Sequence, residues 1–196
     1  MPKIILLTSQ KGGVGKSTLT FNLAKCFAKS ANIVILDFDT QGSLSQISEL
    51  VSNFKILQYK REIKEIPLLP YDFIFIDTPP YFTDNLMDLI KISDIVLLPI
   101  KPGVLDVLAS KNSVDFIIQA NKENNAMIVL NMVKPNTTLT LDVLISLEEF
   151  NLPIAKTTIS DLVAYTRSVI LNTDLKDSRA ISQMENLSRE ILMKLI

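Results

Sequence analysis

Short apolar runs and longer amphipathic stretches alternate along most of the chain. The apolar runs are rich in β-branched and aromatic residues, are nearly free of charge, and lie at 4–7, 33–36, 73–76, 95–100 and 127–130. Runs without polar alternation are typical of strands that are buried on both faces, as in a parallel sheet. We therefore predict five buried strands at these positions.

Amphipathic patterns fill much of the sequence between these runs. They lie at 16–30, 105–119, 139–149 and 176–195, and we predict a helix in each. Alternating strands and helices predict a doubly wound α/β fold, in which a mostly parallel sheet carries helices on both faces. The length of 196 residues fits one domain with one sizeable core, so we expect residues 1–196 to form a single domain.

The segment 45–70 has no clear periodicity and contains a charge cluster, Lys-Arg-Glu-Ile-Lys-Glu, at 60–65. We interpret this cluster as the solvated face of a helix with ion pairs four residues apart. The sequence suggests no function for this segment.

The amino-acid composition excludes several classes of protein for this chain. Hydrophobic residues make up 47% and charged residues 21%, a balance typical of globular proteins, and no apolar run approaches the roughly 20 residues that cross a bilayer. The net charge of -1 gives no general reason to expect nucleic acid or an anionic membrane as partner, although a local basic patch remains open. The one cysteine excludes a disulfide framework or a multi-cysteine metal site within the chain, which favours a reducing, cytoplasmic compartment.

Three of the five glycines crowd into the segment Gln-Lys-Gly-Gly-Val-Gly-Lys-Ser-Thr at 10–18, between the first predicted strand and a helix. Glycines let the backbone turn tightly and point its amides at phosphate oxygens, and the helix N-terminus adds partial positive charge. The segment therefore predicts a phosphate loop for MgATP, with Lys16 reaching the β- and γ-phosphates and Ser17 ligating Mg²⁺. A glycine turn that only packs is the alternative, and the Gly-Lys-Ser sequence disfavours it. The predicted nucleotide-binding residues are Lys11, Gly12, Gly13, Val14, Gly15, Lys16, Ser17 and Thr18.

Polar residues follow three of the later strands. Asp37 and Asp39 follow the second strand and Asp77 follows the third, at the strand ends where α/β sheets place ligands. An aspartate that ends an apolar strand suits a Walker-B role, so we predict that Asp77 holds Mg²⁺ or its water shell. Asn131 follows the last strand. It either reads the edge of adenine through its donor and acceptor groups or is a turn residue, and both readings remain open.

Residues 11–18, Lys-Gly-Gly-Val-Gly-Lys-Ser-Thr, resemble the deviant Walker-A motif of the ParA/MinD family. The usual phosphate-loop pattern has glycine where this chain has Gln10, and Lys11 precedes two glycines instead. In that family the extra lysine reaches across a nucleotide-sandwich dimer to the partner's ATP, so the resemblance implies this role for Lys11. A solvated loop lysine is the alternative.

The segments Leu-Asp-Phe-Asp-Thr-Gln-Gly-Ser at 36–43 and Asp-Thr-Pro-Pro at 77–80 are similar to two further signatures of the family. The resemblance implies that Asp39 positions or activates the attacking water and that Asp37 lies in the outer shell of Mg²⁺. Thr40 stands where the family commonly has proline, which affects loop stiffness more than chemistry. The implied catalytic residues are then Lys11, Lys16 and Asp39, and the implied metal residues are Ser17, Asp37 and Asp77.

The resemblance continues through 94–106 and 154–169 and is strongest to small ParA proteins of the ParF kind, which lack an operator-binding helix-turn-helix domain. It implies a slow ATPase that partitions DNA: a homodimer forms with ATP, binds DNA without sequence preference in the nucleoid, and hydrolyses ATP when a centromere-binding, ParB-like protein stimulates it. Contacts to DNA phosphates need lysine or arginine. The candidates late in the chain are Arg167, Lys176, Arg179, Arg189 and Lys194, although ordinary solvated surface is the simpler interpretation of each.

The second hypothesis is a MinD-like ATPase that cycles on and off a membrane, which needs a basic amphipathic C-terminal helix. The tail 187–196 contains no aromatic residue and its charges nearly cancel. We therefore expect this tail to dock on the core of the domain, and we expect no stable membrane association. A small-molecule kinase or ligase would use the same phosphate loop, but its acceptor pocket cannot be located from the sequence.

Overall fold

The computed structural model describes residues 1–39, 44–81, 84–134 and 141–196. Its centre is a sheet of six parallel strands in the order β3-β2-β4-β1-β5-β6. The strands are β1 (Lys3–Leu7), β2 (Ile33–Asp37), β3 (Lys55–Gln58), β4 (Phe73–Asp77), β5 (Ile95–Ile100) and β6 (Ala126–Leu130). The predicted α/β fold with a parallel sheet is confirmed.

Seven helices surround the sheet within the described residues. They are α1 (Lys16–Phe27), α2 (Leu86–Ile92), α3 (Val104–Ala109), α4 (Lys111–Gln119), α5 (Leu141–Glu148), α6 (Val163–Ile170) and α7 (Ser178–Leu195), with short 3₁₀ helices at Ser45–Leu50, Ile63–Leu68 and Glu123–Asn125. Helices α2 to α5 pack on one face, and α1, α6 and α7 pack on the other.

Alternate residues of β1 point to opposite faces of the sheet, as the period of a strand requires. Ile4 and Leu6 join the core beneath α2 to α5, whereas Ile5 and Leu7 join the core beneath α1, α6 and α7. Each face of the sheet is therefore apolar, which explains why the central strands read as continuous hydrophobic runs.

Helix α7 docks along the sheet through one apolar stripe. Ala180, Met184, Leu187 and Ile191 recur at helical spacing and are buried in the core. Asp177 caps the helix, since its carboxylate accepts a hydrogen bond of 2.9 Å from the amide of Ala180.

Helices α2 and α6 lie where no helix was predicted, and the structure departs from the sequence predictions in three further places. β3 was not predicted, because it is a short edge strand in which only Ile56 is buried. The predicted helix face at 60–65 is wrong: the 3₁₀ helix begins at Ile63, contains Pro67, and the ion pair of Lys64 is with Glu62, only two residues away.

The third departure is in the predicted helix 105–119, which is two helices that meet at Ser110. The hydroxyl of Ser110 donates a 2.9 Å hydrogen bond to the carbonyl of Asp106. This side-chain hydrogen bond competes with the backbone hydrogen bonds that a continuous helix would form at the junction.

Candidate functional site

The loop between β1 and α1 takes a shape that glycine makes accessible. Gly13 and Gly15 have φ angles of 71° and 82°, in the left-handed region that side chains disfavour. Gly15 is the N-cap of α1, and no capping side chain or acidic residue of the described chain occupies the first turn. The first-turn amides, with their partial positive charge, are therefore available to an anion.

Lys16 lies almost fully buried at the start of α1. Its Nζ donates a hydrogen bond of 3.0 Å to the carbonyl of Ser9. The side chain therefore reaches from the first residue of α1 back to the residue that precedes the glycine loop. Burial lowers the pKa of Lys16, and the nearby carboxylates of Asp77 and Asp39 oppose that shift. The ammonium is thus held between the glycine loop and the acidic side chains of the site.

Strand register brings Asp37 and Asp77 together. They are paired neighbours at the ends of β2 and β4, and Leu7, the last residue of β1, is level with Asp77. Both carboxylates are buried. The predicted metal residues from two strands therefore meet beside the start of the phosphate loop, at the carboxyl edge of the sheet.

Asp77 is the most perturbed carboxyl group of the site. Burial raises its pKa to about 7; the hydrogen bond from Ser17 lowers the pKa, the charge of Asp37 raises it, and Lys16 and Thr20 lower it. The Thr20 hydroxyl lies 3.1 Å from Asp77 Oδ1 and 3.0 Å from the carbonyl of Lys16. Carboxylate and hydroxyl oxygens are ligands that Mg²⁺ prefers, so the donor set of Ser17, Asp77 and Asp37 fits this ion.

Asp37 also organises the loop that follows β2. Its Oδ1 accepts a 3.0 Å hydrogen bond from the amide of Asp39, and its Oδ2 accepts bonds from the amide and hydroxyl of Ser45 at 3.0 and 2.9 Å. Ser45 was not predicted, since no local pattern connects it to the aspartates. The remaining part of this signature, residues 40–43, lies outside the described residues.

These elements enclose a cleft of about 200 Å³ beside the phosphate loop. Asp39 and Lys16 both line it, and the full set of lining residues is Gly13, Gly15, Lys16, Ser17, Thr18, Asp39, Thr78 and Pro80. Thr78 is fixed by a 2.9 Å hydrogen bond from its hydroxyl to the carbonyl of Leu7. The cleft is thus lined by the buried cation of Lys16, the hydroxyl of Ser17 and the acidic side chain of Asp39, and the buried Asp77 accepts a hydrogen bond from Ser17.

Lys11 lies at the outer edge of the loop and pairs within its own chain. Its Nζ is 2.5 Å from Oδ1 of Asp106 on α3, and their side chains are 35% and 21% exposed. The sequence predicted a functional role for Lys11 but not this partner, because the two residues are distant in sequence. A positive charge of the phosphate loop is therefore paired with an acidic residue of α3.

A second cavity, of about 250 Å³, adjoins the other side of the loop. Its lining residues are Gly13, Gly15, Thr18, Leu19, Asn131, Met132, Ile159, Ser160, Asp161, Leu162, Tyr165, Thr166 and Met184. Asn131 was predicted at this site, but neither interpretation of it anticipated that its Nδ2 donates a 2.7 Å hydrogen bond to the carbonyl of Val14. Four of the other lining residues, at 159–162, come from the segment just before α6, for which no site residue was predicted.

A phosphate loop at the carboxyl edge of a parallel sheet, with aspartates on the neighbouring strands, defines a P-loop nucleotide-binding protein. The sequence model of the CobQ/CobB/MinD/ParA nucleotide binding domain matches residues 5–174. The chain belongs to this family, and the predicted ParA/MinD membership is confirmed.

Relatives in the family include proteins with different cellular roles. Maintenance of carboxysome distribution protein A of Halothiobacillus neapolitanus is 24% identical over 189 residues, which cover 85% of this chain and 83% of that protein. Sporulation initiation inhibitor protein Soj of Bacillus subtilis is 27% identical over 137 residues, which cover 69% of this chain and 47% of Soj.

Solved structures agree on the fold. A candidate plasmid partition protein of Borrelia burgdorferi B31, bound to AMPPNP, has a TM-score of 0.76 and 25% identity, and the match covers 100% of both chains. The cell division protein MinD of Aquifex aeolicus has a TM-score of 0.79 and 17% identity, over 97% of each chain. Members of this family are nucleotide-binding ATPases. Among the described helices, none combines the length and the apolar composition that crossing a membrane demands.

Proposed function

We propose that this chain is a slow, partner-stimulated ATPase that partitions DNA. The observation that carries the proposal is the placement of Lys16, Ser17 and Asp39 around the cleft beside the glycine loop, with Asp77 hydrogen-bonded to Ser17. Phosphoryl transfer depends mainly on positioning and on stabilising charge, and these residues supply both.

Each residue has a distinct task in this proposal. The first-turn amides of α1 and the ammonium of Lys16 bind the phosphates, and Lys16 exchanges its hydrogen bond with Ser9 for phosphate oxygens. Ser17 and Asp77 would hold Mg²⁺, with Asp37 in its outer shell, and the ion would neutralise charge on the phosphates. Asp39 orients the attacking water, and Asp37 fixes the backbone of Asp39 through the 3.0 Å hydrogen bond to its amide.

Lys11 connects hydrolysis with dimer formation. In the single chain its ammonium is paired with Asp106. In an ATP-bound homodimer, Lys11 exchanges that carboxylate for the nucleotide of the partner, which adds positive charge to the transition state. Since the pair is partly exposed, the exchange costs about 1 kcal/mol or less.

DNA binding is assigned to the basic residues around α6 and the start of α7. Arg167 and Lys176 line one open groove of about 520 Å³, together with Asp174 and Asp177. Arg179 is exposed in the first turn of α7. Salt-sensitive contacts from such residues are sequence-independent, which suits binding to the nucleoid.

The packing of α7 favours this function over MinD-like membrane cycling. The apolar stripe of α7 is buried against the sheet, so the helix has no comparable stripe left for a lipid surface. Lys194, near its end, donates a hydrogen bond of 2.6 Å to the carbonyl of Asn124. The likeness to a candidate plasmid partition protein along the full chain also supports DNA as cargo.

Binding to random duplex DNA, measured by fluorescence anisotropy, tests the proposal. We expect affinity that requires MgATP, falls steeply with salt, and drops when Arg167 and Lys176 are both replaced by alanine. Arg61→Ala is the matched control, because Arg61 is exposed near β3, at the opposite edge of the sheet from β6. Absence of ATP-dependent DNA binding contradicts the proposal, and ATP-dependent flotation with anionic liposomes would replace it with the MinD-like function.

A further inference from the structure

Asn131 is buried at the end of β6, with 4% of its surface exposed. Its backbone amide donates a 2.8 Å hydrogen bond to the carbonyl of Ile100 on β5. Two residues later, the amide of Val133 donates a 2.9 Å bond to the carbonyl of Ile159. The backbone on both sides of the Asn131 side chain is therefore held by other elements of the sheet region.

The side chain of Asn131 reaches the phosphate loop directly. Its Nδ2 donates a buried 2.7 Å hydrogen bond to the carbonyl of Val14, across 117 residues of sequence. Val14 is itself 1% exposed. A hydrogen bond between buried groups is costly to break, because the carbonyl then loses a partner that water does not replace.

The backbone of the loop also approaches Asn131 closely. A Cβ added to Gly15 would lie 2.7 Å from Asn131 Nδ2 and 3.6 Å from the sulfur of Met132. Side chains at both positions therefore press against the turn that ends in the N-cap of α1. The turn is thus held by the two residues that follow β6, and it continues directly into α1.

We infer that Asn131 is a positioning residue that clamps the phosphate loop in the shape that receives phosphates. This role rests on the proposed function, because it concerns the same nucleotide site. The side-chain amide of Asn131 holds the carbonyl of Val14 away from the phosphates. The backbone amides of Gly15 and Lys16 then face the anion. The contact therefore contributes to binding of the phosphate chain, whichever base the nucleotide carries.

Three Mg²⁺-loaded probes separate a loop clamp from a base reader: ATP, GTP and inorganic tripolyphosphate, each measured by calorimetric titration of the full chain. Asn131→Ala removes the donor. Asn131→Asp keeps the volume and places an oxygen against the carbonyl of Val14. Asn125→Ala is the matched control, because the Asn125 side chain bonds the carbonyl of Asp94 at the other end of β6.

If Asn131 clamps the loop, both variants should weaken the binding of all three probes by a common factor of about tenfold or more. The ratio of ATP affinity to GTP affinity should stay unchanged. Loss of ATP affinity with intact tripolyphosphate affinity overturns the inference and makes Asn131 a reader of the base. Unchanged affinity for all three probes overturns it as well. A wild-type chain that binds none of the probes contradicts the proposed function itself.

If neither variant folds, the wild-type protein provides the test by nuclear magnetic resonance. The clamp predicts that one side-chain amide proton of Asn131 exchanges slowly with solvent before any ligand is added. Rapid exchange of both protons would overturn the inference, because a buried hydrogen bond to Val14 protects one of them.

Discussion

Replacing Asp77 by asparagine should stabilise the nucleotide-free protein, and the gain should depend on pH. Burial raises the pKa of Asp77 from 3.8 to about 7. In the unfolded chain the Asp77 carboxyl group releases its proton above about pH 4, whereas in the folded chain it keeps the proton until about pH 7. The group therefore makes the folded state less stable as pH rises through this interval, and the loss is complete above the folded-state pKa.

The interval between 3.8 and about 7 corresponds to about 4 kcal/mol, because each pKa unit represents about 1.36 kcal/mol. Asparagine does not titrate, and its oxygen can still accept the hydroxyl hydrogen bond of Thr20. The stability advantage of Asp77→Asn should therefore grow by about 2–3 kcal/mol between about pH 5 and pH 8.

Urea unfolding at several pH values, with a metal chelator and no nucleotide, measures this difference. Asp88→Asn is the control, because Asp88 is exposed on α2 and its distance to Lys91 is 4.0 Å; its effect should stay within about 0.5 kcal/mol at every pH. Parallel pH curves for wild type and Asp77→Asn would show instead that the folded chain does not keep the Asp77 proton up to about pH 7.

Three further predictions concern hydrolysis, dimer formation and packing. Asp39→Ala should keep ATP affinity but lower the rate of phosphate release by about a hundredfold or more, and loss of binding would contradict the assigned role. Lys11→Ala should abolish ATP-dependent dimers in light scattering, whereas Asp106→Ala should favour them by less than about tenfold, because a partly exposed pair contributes about 1 kcal/mol or less. Ser168→Ala should lower the free energy of unfolding in urea by about 1–3 kcal/mol, since the buried Ser168 hydroxyl lies 2.7 Å from Asn22 Oδ1; no loss would show that this contact is dispensable.

The predictable parts of the fold are the strands and helices whose own sequences show a clear pattern of apolar residues. The central strands are covered on both faces, so their sequences are continuous apolar runs. β3 lacks that signal because it is an edge strand, and its exposed residues resemble a loop. The break at Ser110 was equally hidden, because α3 and α4 continue the same apolar periodicity across the junction.

The candidate site also contains parts that were predictable from local sequence and parts that were not. The glycine loop and the aspartates at the strand ends are local motifs, and strand order alone brings Asp37 and Asp77 together. The contact between Lys11 and Asp106 and the one between Asn131 and Val14 join residues that are far apart in sequence. Their geometry depends on how loops from different strands meet, and no periodicity or spacing in the chain encodes it.

Titration of MgATP into the wild-type protein and into Lys16→Ala tests whether the glycine loop binds the phosphates of a nucleotide. Lys3→Ala is the control, because Lys3 lies at the opposite end of β1 and pairs with Asp94. We expect saturable binding to wild type and control, and binding to Lys16→Ala that is at least about tenfold weaker. Equal affinity of wild type and Lys16→Ala, or no saturable binding to wild type, would contradict this expectation.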